Sequence, residues 1–498
     1  MLKKIRLSFA IVFLILTSLL FLDFTGTVHI WFGWMAKLQF VPAVLALNLV
    51  VCILLVLLTL LLGRVYCSVI CPLGLLQDVV ARMGRWKKKL PYTYSPPKSW
   101  LRMGVLTLFL VALILGVGAV ASLLEPYGAF GRIAHNLFLP VWQWGNNVLA
   151  TFAKRAESYA FYPTEVWLKS IPTLLVAITT LIVVSVLAWK NGRTYCNTIC
   201  PVGTFLGFIS PFSLFKIGID TKKCIRCGIC ARKCKAACID DKAHKIDYSR
   251  CIACMNCIDH CSSRAIGFQS SFPKKSEAAP SEKPDSGRKG FLAVSMLLAA
   301  SALKAQVIPK ATDIKPDGGL ADVLDKQSPE RQTTIVPAGA SSLRKMKQHC
   351  TACQLCVTTC PNSVLRPSHS LERFMQPYIS YERGYCRPEC VKCSEVCPSG
   401  AIKKITKEEK SSIKIGCAVW VRARCIPLVD GQTCNNCAHH CPVKAITMVP
   451  SIPGDEKSLQ IPAINEELCI GCGACEHLCP SRPLSAIYVE GAHEHRFI

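Results

Sequence analysis

Twenty-four of the 31 cysteines in this chain fall into six sets of four whose spacing suits metal ligation. Cys469, Cys472, Cys475 and Cys479, followed by Pro480, form the most regular set, and Cys350, Cys353, Cys356 and Cys360, followed by Pro361, repeat it. Three thiolates on one tight loop cap three irons of a cube. The fourth, a short helix away, serves a neighbouring cube. Cys224, Cys227, Cys230, Cys234 and Cys251, Cys254, Cys257, Cys261 make another two sets. Crossing of the fourth ligand pairs Cys261 with the first of these triplets and Cys234 with the second. Cys386, Cys390, Cys393, Cys397 and Cys425, Cys434, Cys437, Cys441 are less regular, and Cys417 is an alternative to the nearer Cys425. Structural zinc would use CxxC pairs on longer spacers, and disulfides would not be drawn from tight triplets. The expected cofactors are six [4Fe–4S] clusters, which together make a wire for single electrons.

Four further cysteines stand in a repeat. Gly63-Arg64-Val65-Tyr66-Cys67-Ser68-Val69-Ile70-Cys71-Pro72-Leu73-Gly74 returns as Gly192-Arg193-Thr194-Tyr195-Cys196-Asn197-Thr198-Ile199-Cys200-Pro201-Val202-Gly203. Each Cys-x3-Cys pair falls on one face of a helical turn, a spacing that suits shared ligation. Cys67, Cys71, Cys196 and Cys200 are therefore candidates for a redox or metal site, against the plainer reading of small buried residues packing a turn. Cys52 and Cys238 lie outside every set and read as structural.

The elements that must hold these residues are apolar helices. About 20 apolar residues span a bilayer core, and four stretches qualify, near 7–24, 42–62, 103–124 and 171–189. Lys3, Lys4 and Arg6 precede the first, and Arg82, Arg85, Lys87, Lys88, Lys89, Lys98 and Arg102 lie between the second and third. The positive-inside rule then puts the N-terminus and the 63–102 loop in the cytoplasm. The expected fold is multidomain: a four-helix transmembrane domain of two repeated hairpins with α+β ferredoxin-like modules. The formal charge of +26 suggests nucleic acid at first sight. Six clusters at about −2 each would offset about twelve of those charges, so no nucleic-acid partner is expected. The spans hold no histidine, so no haem bridging them is expected.

The expected domains are a membrane domain at 1–210, a two-cluster ferredoxin module at 215–268, a linker at 269–345 and a four-cluster domain at 346–498. Within the linker, Arg288-Lys289-Gly290-Phe291-Leu292 heads an apolar run to Leu303 that suits an export signal better than a span. Ala300-Ser301-Ala302 offers a cleavage site. The expected localisation is the bacterial inner membrane, with the first ferredoxin module cytoplasmic and the four-cluster domain periplasmic. The alternative keeps every cluster on one side.

With four spans, two CxxxCP motifs and a two-cluster tail, residues 1–265 resemble the NapH-type membrane subunit of a quinol dehydrogenase. The same frame is shared by the NosR type and by a copper-handling protein of cytochrome oxidase assembly. Residues 288–498, with their leader-like start and four cysteine sets, resemble the NapG-type exported partner, so the chain resembles a fusion of the two. The resemblance implies oxidation of a membrane quinol, lipid and the quinone pool as surroundings, and a downstream redox protein as acceptor. It also implies that the outer sets interleave, Cys350, Cys353, Cys356 with Cys479 and Cys469, Cys472, Cys475 with Cys360. The inner sets would do likewise, Cys386, Cys390, Cys393 with Cys441 and Cys425, Cys434, Cys437 with Cys397. His29 and His135, near the outer interface, are candidates for taking quinol protons. Two other roles stay open: a non-catalytic relay or anchor subunit, and a metal reductase or maturation factor of the copper-handling type.

Overall fold

The structure, a computed structural model, describes residues 2–87, 91–158, 160–270 and 324–498, with short strand pieces at 316–317 and 321–322. The export-type segment around 288–305 lies outside the described residues. The main helices are α1 (Leu2–Leu22), α2 (Leu49–Leu62), α3 (Pro72–Lys87), α4 (Ser99–Ile114), α5 (Pro126–Ile133), α6 (Leu139–Arg155), α7 (Ile171–Asn191) and α8 (Pro201–Ile209).

Among the described residues only α1 and α7 are continuous helices long and apolar enough to cross a membrane, with mean hydropathy 2.4 and 2.5. The other two expected spans are broken, which corrects the sequence reading. Residues 42–62 divide at Leu47 (φ 54), where Asn48 N–H bonds Ala43 O at 2.9 Å and the Asn48 side chain accepts from Val51 N–H to start α2. Residues 103–124 divide at Gly116 (φ 70), where Val117 N–H bonds Ala112 O at 2.8 Å. Both breaks use the same closure, a left-handed residue followed by a bond back across the last turn. Hydropathy averages over such a break, because the capping residues are few and the flanks remain apolar.

The helices bury Leu20, Phe21, Leu55, Phe109, Ala177 and Val184 against one another. Their outer faces leave Phe9, Val12, Ile53, Leu57, Leu108, Leu175 and Ile182 exposed. Apolar exposure of that extent marks a contact surface rather than a water-facing one. Trp31, Trp34, Trp142 and Trp144 are also exposed, as residues of an interfacial belt are.

The ferredoxin modules sit at opposite ends of α1. At its N-terminal end Lys3 Nζ pairs with Asp259 of the first module at 2.6 Å. Just past its C-terminal end, Thr25 O accepts from Lys392 Nζ of the second at 3.4 Å. At 1.5 Å per residue, α1 separates these contacts by about 30 Å.

Short antiparallel pairs build the modules. In the first, β1 (Phe215–Ile219) pairs with β2 (Ile266–Ser270). In the second, β3 (Leu365–Pro367) pairs with β4 (Pro377–Ile379), β5 (Ile413–Trp420) with the C-terminal β8 (Ile487–Phe497), and β6 (Ile446–Pro450) with β7 (Gln460–Ile464). The β3–β4 and β6–β7 hairpins each follow a Cys-Pro end and fold the chain back, which brings the Cys386 set beside the Cys350 set and the Cys469 set beside the Cys425 set.

Candidate functional site

The loops that carry the cysteines share a backbone signature. Within the four CxxCxxC loops two residues take the left-handed conformation: Arg226 and Gly228, Ala253 and Met255, Ala352 and Gln354, Gly471 and Gly473. The third residue after a fourth cysteine does so at Ala237, Arg264, Ser363, Gly400 and Lys444. Such conformations cost about 1–3 kcal/mol each away from glycine and persist where the surroundings impose them. Here they turn backbone N–H groups toward sulfur. Ala352 N–H donates to Cys350 Sγ at 3.4 Å, Ile402 N–H to Cys397 at 3.4 Å, Ala445 N–H to Cys441 at 3.2 Å and Ala486 N–H to Cys479 at 3.3 Å. Donors aimed at sulfur favour thiolate, the ligating form.

In the first module, Cys224, Cys227, Cys230 and Cys261 ring one cavity, and Cys234, Cys251, Cys254 and Cys257 ring a second. In the C-terminal domain the arrangement corrects the pairing implied by the resemblance. Cys360 joins Cys386, Cys390 and Cys393 around one cavity, and Cys479 joins Cys425, Cys434 and Cys437 around another. Cys397 falls beside Cys350, Cys353 and Cys356, and Cys441 beside Cys472. Sets adjacent in sequence therefore interleave, because β3–β4 and β6–β7 are too short to carry a Cys-Pro end past its neighbour. Cys425, rather than Cys417, completes its ring; Cys417 lies on β5 against Cys469.

Among the described residues no three Cys, His, Asp or Glu side chains converge as a single metal ion requires. Zinc held at about 2.3 Å would draw its thiolates to within about 3.8 Å of one another. Sulfurs that ring a cavity without meeting suit a larger inorganic body. The donor set therefore fits iron–sulfur clusters.

The four outer sets follow one another by contact. Cys393 lies near Cys356, Cys386 N–H bonds Cys472 O at 2.9 Å, and Cys437 lies near Cys475. The order runs from the Cys350 set through the Cys386 and Cys469 sets to the Cys425 set. The Cys350 loop abuts the helical domain, where a Cβ on Gly128 would lie 2.6 Å from Thr351 O and α5 leaves no room for one. Sequence reasoning missed two neighbours of these sulfurs. Cys238 lies 3.6 Å from Cys234 inside the second cavity, and Lys410, 6% exposed, donates to Cys386 Sγ at 3.3 Å. Burial opposes the Lys410 charge, but Cys386 and Cys393 outweigh it and hold the ammonium above its usual pKa.

Between the helical domain and the outer clusters lies a cleft of about 600 Å³. Phe24, Leu139, Leu174, Trp167 and Leu168 give it apolar walls, while His135, Lys169, Thr358 and the ligand Cys360 line it with polar groups. His135 sits in a π-helical turn, Ala134–Phe138, between α5 and α6. Such turns recur at functional sites because the extra residue re-aims a side chain. The Thr358 hydroxyl lies 3.2 Å from Gln354 O and 2.7 Å from His135 Nδ1, and when it donates to the carbonyl it accepts from Nδ1–H. This leaves Nε2 as the ring's acceptor. Burial, then the nearby Lys169 charge, holds the imidazole well below its usual pKa and therefore neutral. Lys169 donates to Val357 O at 2.9 Å. His29 lines no part of this cleft, so the structure separates the two histidines singled out in the sequence.

A family profile described as a 4Fe-4S binding domain matches residues 44–91 and 171–220, and one for a 4Fe-4S dicluster domain matches residues 432–482. A methylamine utilization ferredoxin-type protein MauM of Methylophilus methylotrophus is 30% identical over 163 residues, covering 32% of this chain and 71% of that protein. Ferredoxin-type protein NapF of Escherichia coli (strain K12) is 26% identical over 183 residues, covering 36% of this chain and all of NapF. The putative electron transport protein YccM of the same strain is 24% identical over 226 residues, covering 44% of this chain and 55% of YccM. No solved structure matches. The chain belongs to the ferredoxin-type iron–sulfur electron-transfer proteins.

Proposed function

We propose that this chain is a membrane-embedded quinol dehydrogenase component, joining a NapH-like and a NapG-like part, that passes electrons to a redox partner outside the membrane. The observation that carries this reading is the cleft beside Cys360. Its volume falls in the range of small-molecule sites, and its walls, with Phe24 and Leu174 among them, suit an aromatic ring and isoprenoid tail. A quinol hydroxyl placed there donates to His135 Nε2, while Thr358 fixes the ring's tautomer from the other side. Lys169 orients the second oxygen, and the quinol becomes quinone by giving two protons, taken in turn by His135 and passed on to water, and two electrons, taken singly by the clusters. Six clusters, held by the rings described above with Cys397 and Cys441 completing the Cys350 and Cys469 sets, supply one-electron acceptors when bound.

The experiment is reduction of the purified protein by menadiol, followed by bleaching of cluster absorbance, together with binding of 2-heptyl-4-hydroxyquinoline N-oxide read by fluorescence quenching. Expected are rapid bleaching, saturable binding, and a loss of about 10²-fold or more in rate for His135→Gln, with full bleaching by dithionite retained. Bleaching by dithionite but not by menadiol in the parent protein rejects quinol oxidation and leaves a relay subunit. An unchanged rate in His135→Gln rejects the proton-acceptor role.

A further inference from the structure

The repeated frames meet in the middle of the molecule. Cys67, Cys71, Cys196 and Cys200 are all buried, and each lies within electrostatic reach of the other three. The arginine of each repeat crosses to the other. Arg64 donates to Cys196 O at 3.2 Å and Arg193 to Cys67 O at 2.7 Å. Each also reaches the sulfur of its own repeat at 3.8 Å, Arg64 to Cys67 and Arg193 to Cys196. The glycines of the two CPxG ends make the space, since a Cβ on Gly203 would lie 2.8 Å from Arg64 Nη2 and one on Gly74 would meet Arg193. The result is one pseudo-two-fold cage built by both repeats.

Its charge does not balance without a further anion. Arg64 and Arg193 are fully buried. Arg193 shares Asp78 with Arg6 and Lys235, at 2.8, 3.6 and 3.2 Å. Among the described residues Arg64 meets no carboxylate; its other bonds go to Asn197 Oδ1 and Ser249 O, both at 2.9 Å. Among the described residues Arg64 Nε and Arg193 Nη2 also have no hydrogen-bond partner. Buried cations are paired in folded proteins, and the groups left to pair these are the four sulfurs. Cys200, at the N-cap of α8, accepts from Gly203 N–H at 3.4 Å, and Gln77 Nε2 donates to Cys196 Sγ at 3.2 Å. The donors are placed for thiolates.

We infer that Cys67, Cys71, Cys196 and Cys200 jointly hold one additional iron–sulfur centre, shared by the two repeats and neutralised by Arg64 and Arg193. Four thiolates around an iron–sulfur core carry the negative charge the cage lacks, and the sulfurs do not converge as a single ion needs. The position gives the centre a role, which rests on the electron-transfer reading above. On one side Arg64 holds Ser249 O, two residues from Cys251 of the first module. On the other, Tyr195 lies within reach of Arg132 on α5, whose Gly131 packs against Cys353 O. One electron enters from one side and one leaves by the other, with no proton or bond transferred.

Single variants of the full chain, Cys67→Ser and Cys196→Ser, test this by iron and acid-labile sulfide content and by EPR of dithionite-reduced protein. Each variant should lose the same single centre and keep the remaining signals, which serve as the folding control. Unchanged iron and sulfide, or different centres lost by the two variants, overturns the proposal. So does a disulfide among these four cysteines found by alkylation of the protein as isolated. Arg64→Gln should keep the iron and shift that centre's midpoint potential negative; an unmoved potential removes the arginine's charge-balancing role. Menadiol bears on the quinol reading alone, so failure of either proposal is separately visible.

Discussion

Lys410 shows how single side chains tune this wire. Its ammonium contacts Cys386 Sγ at 3.3 Å and Cys390 O at 2.7 Å in a site that excludes water. A charge-assisted bond to a ligand sulfur stabilises the reduced, more negative centre and raises its potential. Lys410→Met should lower the potential of the Cys386 centre by on the order of 60 mV for each 1.4 kcal/mol lost. Redox titration by EPR measures it, and an unshifted centre would remove the lysine from this role. On the proposed reading His135 belongs to the same scale, since the Thr358 hydroxyl 2.7 Å from Nδ1 leaves Nε2 to take the quinol proton.

At the scale of elements, α5 joins the helical domain to the outer clusters. Its Glu125 cap accepts from Tyr127 and Gly128 N–H, and its small face at Gly128 and Gly131 lies directly on the Cys350 loop. Gly131→Leu would drive a side chain into Cys353 O and the Phe21 ring. Overpacking of this kind costs roughly 1–3 kcal/mol. The expected result is a C-terminal domain cleaved faster in limited proteolysis with its cluster absorbance intact. A proteolysis rate equal to the parent's would show that α5 does not hold the interface.

For the whole molecule, the two modules lie at opposite ends of α1, and the proposed reading puts them on opposite sides of a bilayer. Protease added to intact spheroplasts should cut within 324–498 and spare 215–268. Protection of both, or cleavage of both, contradicts that arrangement. The series of outer clusters ends at Cys434 and Cys437 beside exposed His439 and His440, where the proposed reading puts the exit to a redox partner. A soluble acceptor should therefore compete with modification of these histidines by diethyl pyrocarbonate.

Cysteine spacing alone determined the six sets and the choice of iron–sulfur chemistry over zinc or disulfides, because ligand loops are local and their geometry is written in two- and three-residue gaps. The GRxYCxxxICPxG repeat likewise announced a paired structure. Which fourth cysteine joins which triplet was beyond it: Cys360, Cys397, Cys441 and Cys479 are placed by hairpins whose reach depends on folding, not on spacing. The breaks at Leu47 and Gly116 escaped hydropathy because a few capping residues hardly change the average over their apolar flanks. Only the tertiary structure brought His135 to Cys360, and only there do Arg64 and Arg193 exchange repeats. Those contacts join residues far apart in the chain, and their buried charge becomes visible once the partners that could neutralise it can be counted.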